Sequence, residues 1–500
     1  MELASRPAVT SSNRRWIGLM VVCLAQLMIV LDVTIVNVAL PSIQRELHFS
    51  QGNLTWVVNA FLVTFGSLLL LAGRLGDLAG RKRVFLAGLV IFTTASVICG
   101  LAPTQGVLIG ARFVQGVGAA AQASVILAII ITEFPLPAER ARAMGAYVFV
   151  SVAGGSLGLL AGGILTETLS WHWIFFVNLP IGLAALALGR LLIPADKGIG
   201  LRHGVDWAGS LLVTASLMSA IYAIVEATSH GWVSTQVLGF AGLSAVLMAA
   251  FIAVEARIAN PIMPLRILRL RGLVNANLVR GFLVTGMYST FFLATLYLEH
   301  VRHYSAIQTG AAFLPWTITV AMLSQGITAR LVTRFGPLPV LIAGMTTAAV
   351  GLVLFSTVGP DTAFFPTIFF AAFALGLGIG NAFMPLLTIA MADVPPADAG
   401  LGSGITNVSQ QISGALGLAV LSSIATTHTK SLLAAHDGVT SSLISGYQLA
   451  FLIGAVTIGA GTALALLLLR PGRERAQLQL ADARETGTPL IDHEIESEAA

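Results

Sequence analysis

The sequence predicts an all-α polytopic membrane protein with fourteen transmembrane helices, grouped six, two and six, and with both termini cytoplasmic. Three observations carry this prediction. Of the 500 residues, 56% are hydrophobic and only 10% are charged, with a mean hydropathy of +0.87. Soluble domains carry about 25% charged residues, so this balance belongs to a chain that lives in lipid. Apolar runs of about 20 residues, enough for a helix to cross a ~30 Å hydrocarbon core, recur along the whole chain. Between the runs, basic residues are abundant in every second segment and scarce in the others.

The first run, 16–40, exceeds the ~7–15 residues of a signal-peptide core and is expected to be a retained helix. Runs at 54–72, 84–101, 107–131, 143–165 and 173–193 complete a first six. Those at 208–227 and 235–255 are bracketed by the long polar segments 194–207 and 256–272, which reads as a two-helix insert. Runs at 273–298, 310–332, 338–358, 365–391, 403–425 and 447–469 form a second six. The expected organisation is a cytoplasmic N-terminus (1–15), an N-terminal bundle (16–193), a linker with two inserted helices (194–272), a C-terminal bundle (273–469) and a disordered cytoplasmic tail (470–500) ending in an acidic stretch.

With the N-terminus inside, 22 of the 27 Lys and Arg residues fall in inner segments and only Arg45, Arg302 and Lys430 fall outside. One missed helix would scramble that alternation, so the count and the orientation support each other. Cys23 and Cys99 lie within apolar runs and read as two unpaired thiols.

Two arginines, Arg112 and Arg280, are left inside runs, as is the acid of Leu31-Asp32-Val33. An ionised side chain at mid-membrane costs at least ~2.5–3.5 kcal/mol, so it needs a partner, water or a proton. Asp32 sits about 12 Å from the outer end of span one and Arg112 about 8 Å from that of span four, at 1.5 Å per residue. An ion pair across the first bundle satisfies both. Burial disfavours a bare carboxylate while the guanidinium favours it, so motion that separates and restores the pair could load and unload a proton. A permanent structural pair is the alternative. Gln26, Thr34 and Asn37 share one face of span one, roughly 120–160° from Asp32, and read as a substrate-facing stripe. Asn407, Gln410 and Gln411 on span thirteen are candidates for the same cavity, or for helix–helix bonds worth roughly 0.6–2 kcal/mol each. Other acids, Glu226, Glu299, Asp393 and Asp398, fall near span ends, where solvation is the ordinary state.

A weak repeat relates the halves. Gly73-Arg74-Leu75-Gly76-Asp77-Leu78-Ala79-Gly80-Arg81 lies between spans two and three, and Ala329-Arg330-Leu331-Val332-Thr333-Arg334-Phe335-Gly336 between spans ten and eleven. The first of these resembles the loop signature of the major facilitator superfamily, with Leu78 where a basic residue is usual. Leu108-Ile109-Gly110-Ala111-Arg112-Phe113-Val114-Gln115-Gly116-Val117-Gly118 resembles the fourth-helix motif of that superfamily. Gly154-x-x-x-Gly158-Leu159-x-x-Gly162-Gly163 is similar to its fifth-helix antiporter motif, with Leu159 in place of proline. The stretches 171–180 and 400–417 resemble the fourteen-span drug:proton antiporter family (EmrB/QacA type), and the resemblance covers about residues 15–470.

The resemblance implies a major facilitator fold. It makes Gly73, Asp77, Gly80 and Arg81 a conformational latch between the halves, and Gly154, Gly158, Gly162 and Gly163 a tight helix seam. It implies proton-coupled efflux of drugs or antibiotics, with Asp32 and Arg112 handling the proton, in a bacterial inner membrane. Gln410 stands where related transporters often carry arginine. The expected cargo is a small amphipathic compound, apolar or cationic. The expected partners are that substrate, protons and the bilayer, with no nucleic acid, no metal and no cofactor beyond the proton-motive force. No Gly-x-x-x-x-Gly-Lys-Ser/Thr loop occurs, so ATP is not an expected energy source, and the chain is expected to act as a monomer. A proton symporter or facilitator of a metabolite is the nearest alternative. A membrane sensor or enzyme is more distant, because no cluster of His, Asp, Ser or Cys marks a catalytic centre.

Overall fold

The computed structural model describes residues 8–49, 54, 56–196, 198, 200, 206–258, 261, 263–395, 398–435 and 438–469, and its regular structure is helical. Each expected run is covered by helix: α1 (Ala8–Leu47), α2 (Trp56–Ala79), α3 (Arg81–Gly100), α4 (Gln105–Glu133), α5 (Pro137–Thr168), α6 (Trp173–Leu192), α7 (Trp207–His230) and α8 (Thr235–Glu255). After a 3₁₀ turn at Leu265–Arg269 come α9 (Arg271–Val301), α10 (Ala306–Ala312, Leu314–Met322 and Thr328–Phe335), α11 (Pro337–Phe355), α12 (Phe364–Ala392), α13 (Ala399–Ala434) and α14 (Val439–Leu468). Among the described residues, 12 helices are long and apolar enough to cross a membrane. The two expected runs outside that set are α5 and α10, and α10 is interrupted by a π turn at Leu323–Ile327 where Gly326 has a φ of 98°. The expected tail, 470–500, lies outside the described residues, and α1 begins at Ala8, within the segment expected to precede the first helix.

Local chemistry sets the helix starts. The Thr104 hydroxyl accepts from Val107 N at 3.4 Å ahead of α4, Asp206 from Gly209 N at 2.8 Å ahead of α7, and Ser234 from Val237 N at 3.3 Å ahead of α8. Ser305 and Gln308 form a reciprocal capping box at α10.

The segment 73–83 departs from the expected loop. α2 continues to Ala79, so Gly73 and Asp77 lie on its last turns, and the chain breaks only at Gly80, whose φ is 103°. A side chain there would be strained, which is why glycine ends one helix and opens the next. Gly336 does the same between α10 and α11 at φ 84°, so the sequence repeat is a repeated helix junction.

α1–α6 and α9–α14 form two bundles that meet through α13 against α2 and α4, and through α5 against α10 and α12. The α7–α8 pair packs on α2 and α13. Its attachments include a Tyr222–Trp56 ring contact at 5.8 Å and a bond from Trp232 Nε1 to Ser423 Oγ at 3.2 Å. α8 presents Leu238, Leu243 and Val246 outward, as a lipid-facing helix does.

Candidate functional site

The first bundle holds a fully buried polar network. Asp32 on α1 and Arg112 on α4 are each 1% exposed, and Arg112 Nη1 donates to Asp32 Oδ2. Arg112 Nε donates to the Val57 carbonyl of α2 at 2.8 Å, and Nη1 also reaches Gln115 Oε1 at 2.6 Å. Gln115 Nε2 donates to Asp32 Oδ1 at 2.8 Å and to Ser96 Oγ at 2.6 Å, and Asn178 Nδ2 reaches the same hydroxyl at 3.3 Å. Both carboxylate oxygens therefore have donors, and the guanidinium lies 4.5 Å from the Phe61 ring centroid and 5.8 Å from that of Phe175. The sequence-derived pair is brought together. Gln115, Ser96 and Asn178 were not anticipated. Gln115 carries a readable signal, since it stands three residues after Arg112 on the same helix face. Ser96 and Asn178 carry none, being ordinary small polar residues on other helices.

The second cluster joins the bundles. Asp77 on α2 accepts from the backbone N–H of Gly400 and Leu401 at the start of α13, both at 2.9 Å. An acid at a helix N-terminus satisfies otherwise orphaned donors and meets the positive end of the helix dipole. Arg81 Nη2 pairs with Asp77 at 3.1 Å while its Nη1 donates to Thr132 at 2.7 Å. Gly73 permits this approach, because a Cβ there would lie 2.5 Å from the Gly400 carbonyl oxygen. Asp196, unanticipated, accepts from Arg81 N at 2.7 Å and Lys82 N at 3.2 Å, and so caps α3. Asp398 corrects the expectation of a solvated interfacial acid. It is 4% exposed, held by Arg266 at 2.9 Å and near Arg74 at 3.8 Å, because it sits where α13 presses on α2.

The glycines of α5 form the expected seam. A Cβ on Gly154 would meet Val30 at 2.9 Å, one on Gly158 would meet Thr34 Oγ1 at 1.8 Å, and one on Gly162 would meet Ile35 Cα at 3.2 Å. Gly163 is buried beside them, and α5 runs unbroken past Leu159.

The residues expected to line a cavity divide. Thr34 faces the α5 seam, and its hydroxyl donates to the carbonyls of its own helix at Val30 (3.0 Å) and Leu31 (3.1 Å). Asn407 belongs to the inter-bundle contact, donating to the Ala123 carbonyl of α4 at 3.1 Å. Gln26 and Gln411 are partly exposed, Asn37 is exposed, and Gln26 Oε1 is buried without a partner. Gln410 lies in a second polar cluster: Arg280 Nη2 of α9 donates to its Oε1, and its Nε2 donates to Tyr288 Oη at 2.9 Å. Arg280, counted in the sequence only as a second intramembrane cation, is the centre of that cluster. At the far end of α1, Trp171 Nε1 donates to Glu46 at 2.8 Å and its ring stacks on His172 at 3.9 Å, tying the end of α1 to the α5–α6 connection.

Two helical bundles, an ion pair buried within one of them and a polar contact between them are the frame of a membrane transporter. The sequence profile of the Major Facilitator Superfamily matches residues 22–418, and the chain belongs to that family. It is 40% identical over 465 residues to the puromycin resistance protein pur8 of Streptomyces alboniger, covering 91% of this chain and 92% of that one. It is 36% identical over 430 residues to the cephamycin export protein CmcT of Amycolatopsis lactamdurans, covering 84% and 88%. Among solved structures, the human organic anion transporter MFSD10 superposes with a TM-score of 0.62 at 17% identity, covering 90% of this chain and 99% of that one, a likeness of fold.

Proposed function

We propose that this protein is a proton-coupled antiporter that exports small amphipathic compounds, drugs or antibiotics among them, across the cytoplasmic membrane of a bacterium. It crosses fourteen times, with α5 and α10 as the remaining two spans and both termini inside, where the excess of basic residues places them. The end carrying Asp77 and α13 then faces the cytoplasm and is closed. The observation that carries the reading is the Asp32–Arg112–Gln115 network, a carboxylate sealed inside one bundle and held by groups from a second helix. The relatives named for resistance and export support the direction of transport.

Bending of α1 against α4 inside the first bundle, coupled to the rocking, is the motion that would part Asp32 from Arg112. With Arg112 and Gln115 seated on it, Asp32 is stable as a carboxylate. When they withdraw, the bare charge is costly and the acid takes a proton from whichever side is open. Inside-out vesicles test this, with puromycin as the probe. Acidifying the lumen should drive puromycin accumulation in exchange for lumenal protons, and Asp32→Asn should abolish the exchange at normal expression. Proton-driven uptake that survives Asp32→Asn overturns the assignment, and co-movement of protons with puromycin identifies a symporter.

A further inference from the structure

The Asp32–Arg112 pair is neutral as a unit, but Arg280 is not compensated. It is 1% exposed, lies nine residues into α9, about 14 Å from its start, and has no carboxylate within ion-pair distance among the described residues. Its partners are neutral. Nη1 donates to the Thr406 carbonyl at 3.1 Å, Nη2 to Gln410 Oε1, and the Phe383 ring centroid lies 4.8 Å from Cζ. The Nε–H is buried with no acceptor. A guanidinium out of water without a counter-ion is among the costliest groups a fold can carry, and neutral acceptors recover only part of its lost hydration.

The surroundings are those of a receptor. Tyr288 Oη, already receiving a bond from Gln410, has its own hydrogen to give. Tyr288 and Gln410 keep partial exposure beside fully buried Arg280. Farther along the same face of α9, Phe291 stays half-buried and rests on the buried rings of Phe313 and Trp316, with centroid separations of 4.7 and 6.2 Å. A cation with a spare donor is thus followed along one helix face by the half-buried ring of Phe291.

We infer that Arg280, with Gln410 and Tyr288, binds the oxyanion of an amphipathic ligand whose apolar body runs along α9 toward Phe291. This deepens the antiport reading by naming an acidic cargo where an apolar or cationic one was expected. It also explains why a cation persists there with no acid within ion-pair distance among the described residues: the ligand brings the counter-charge. A carboxylate on a solute and the phosphate of an anionic lipid share this chemistry, and the test separates them.

The full chain in phosphatidylcholine nanodiscs, titrated calorimetrically with dodecanoate at one pH and no gradient, provides that test, with dodecanol as the uncharged control and empty discs as background. Dodecanoate should bind more tightly than dodecanol. Arg280→Gln should weaken dodecanoate about 10- to 100-fold, the equivalent of one lost charge-assisted contact, while leaving dodecanol unchanged, which also reports an intact fold. Arg280→Lys should keep most of the affinity. If phosphatidylglycerol discs without dodecanoate raise the melting temperature in an Arg280-dependent way, the oxyanion is a lipid headgroup. Dodecanoate binding within twofold of wild type in Arg280→Gln, or no preference over dodecanol, overturns the inference. A wild-type chain that binds dodecanoate through Arg280 but exchanges no protons for puromycin in the vesicles would sink the antiport reading and leave this one standing.

Discussion

Arg112 is held by three acceptors on three helices: the Val57 carbonyl of α2, Gln115 of its own helix and Asp32 of α1. Only a guanidinium presents donors in that spread. Lysine keeps the charge but brings a single point of attachment. Arg112→Lys should therefore lose the Val57 bond and part of the hold on Asp32, at about 1.5–3 kcal/mol for a bond to a charged group. Proton-driven efflux should fall at least tenfold while protein yield is unchanged; wild-type efflux in the lysine variant would show that charge alone suffices. The ion pair itself was legible, because two opposite charges inside apolar runs must find one another. Gln115 was legible only in part, and Asp196 not at all. Asp196 caps a helix 115 residues earlier in the chain, and nothing in its neighbours announces that meeting.

At the scale of the element, the α1–α5 seam depends on one notch. The missing Cβ of Gly158 leaves room for Thr34, whose β-branched side chain is fixed by its bonds to Val30 and Leu31. Gly158→Ala should overpack the seam by about 1–3 kcal/mol and lower the melting temperature. In a Thr34→Ala background the nearest atom is no longer Oγ1, and the loss should largely disappear. Equal losses in both backgrounds would place the strain elsewhere. The four-residue glycine spacing makes the seam readable in the sequence. The π turn in α10 was not readable, because its flanks are as apolar as those of an unbroken span and only Gly326 marks the place.

At the scale of the molecule, the two bundles touch through polar groups where Asp77 meets the start of α13 and Asp398 meets Arg74 and Arg266. Asp77→Asn removes the charge from two of those bonds. A loss of about 1.5–3 kcal/mol shifts the closed-to-open ratio roughly 10- to 150-fold. Spin labels on the facing ends of α2 and α13 should report a longer distance in the variant; an unchanged distribution would make the contact incidental. The two-bundle plan followed from the run count and the repeated Arg-Leu…Gly junction. The acid at 398 did not, since an aspartate near a span end looks the same in sequence whether water or another helix covers it.

The donors that α13 offers Asp77 are peptide hydrogens, and that makes the contact genetically lopsided. No codon change at 401 short of proline deletes an amide, so that position should accept other apolar residues with transport intact. Position 400 tolerates only glycine for a different reason, as any side chain would strike Asp77 and Gly73 at 2.5–2.6 Å. Loss-of-function alleles in a saturation library should therefore crowd onto 73, 77 and 400 and skip 401, and revertants of an Asp77 lesion should arise at distant sites that reweight the two states.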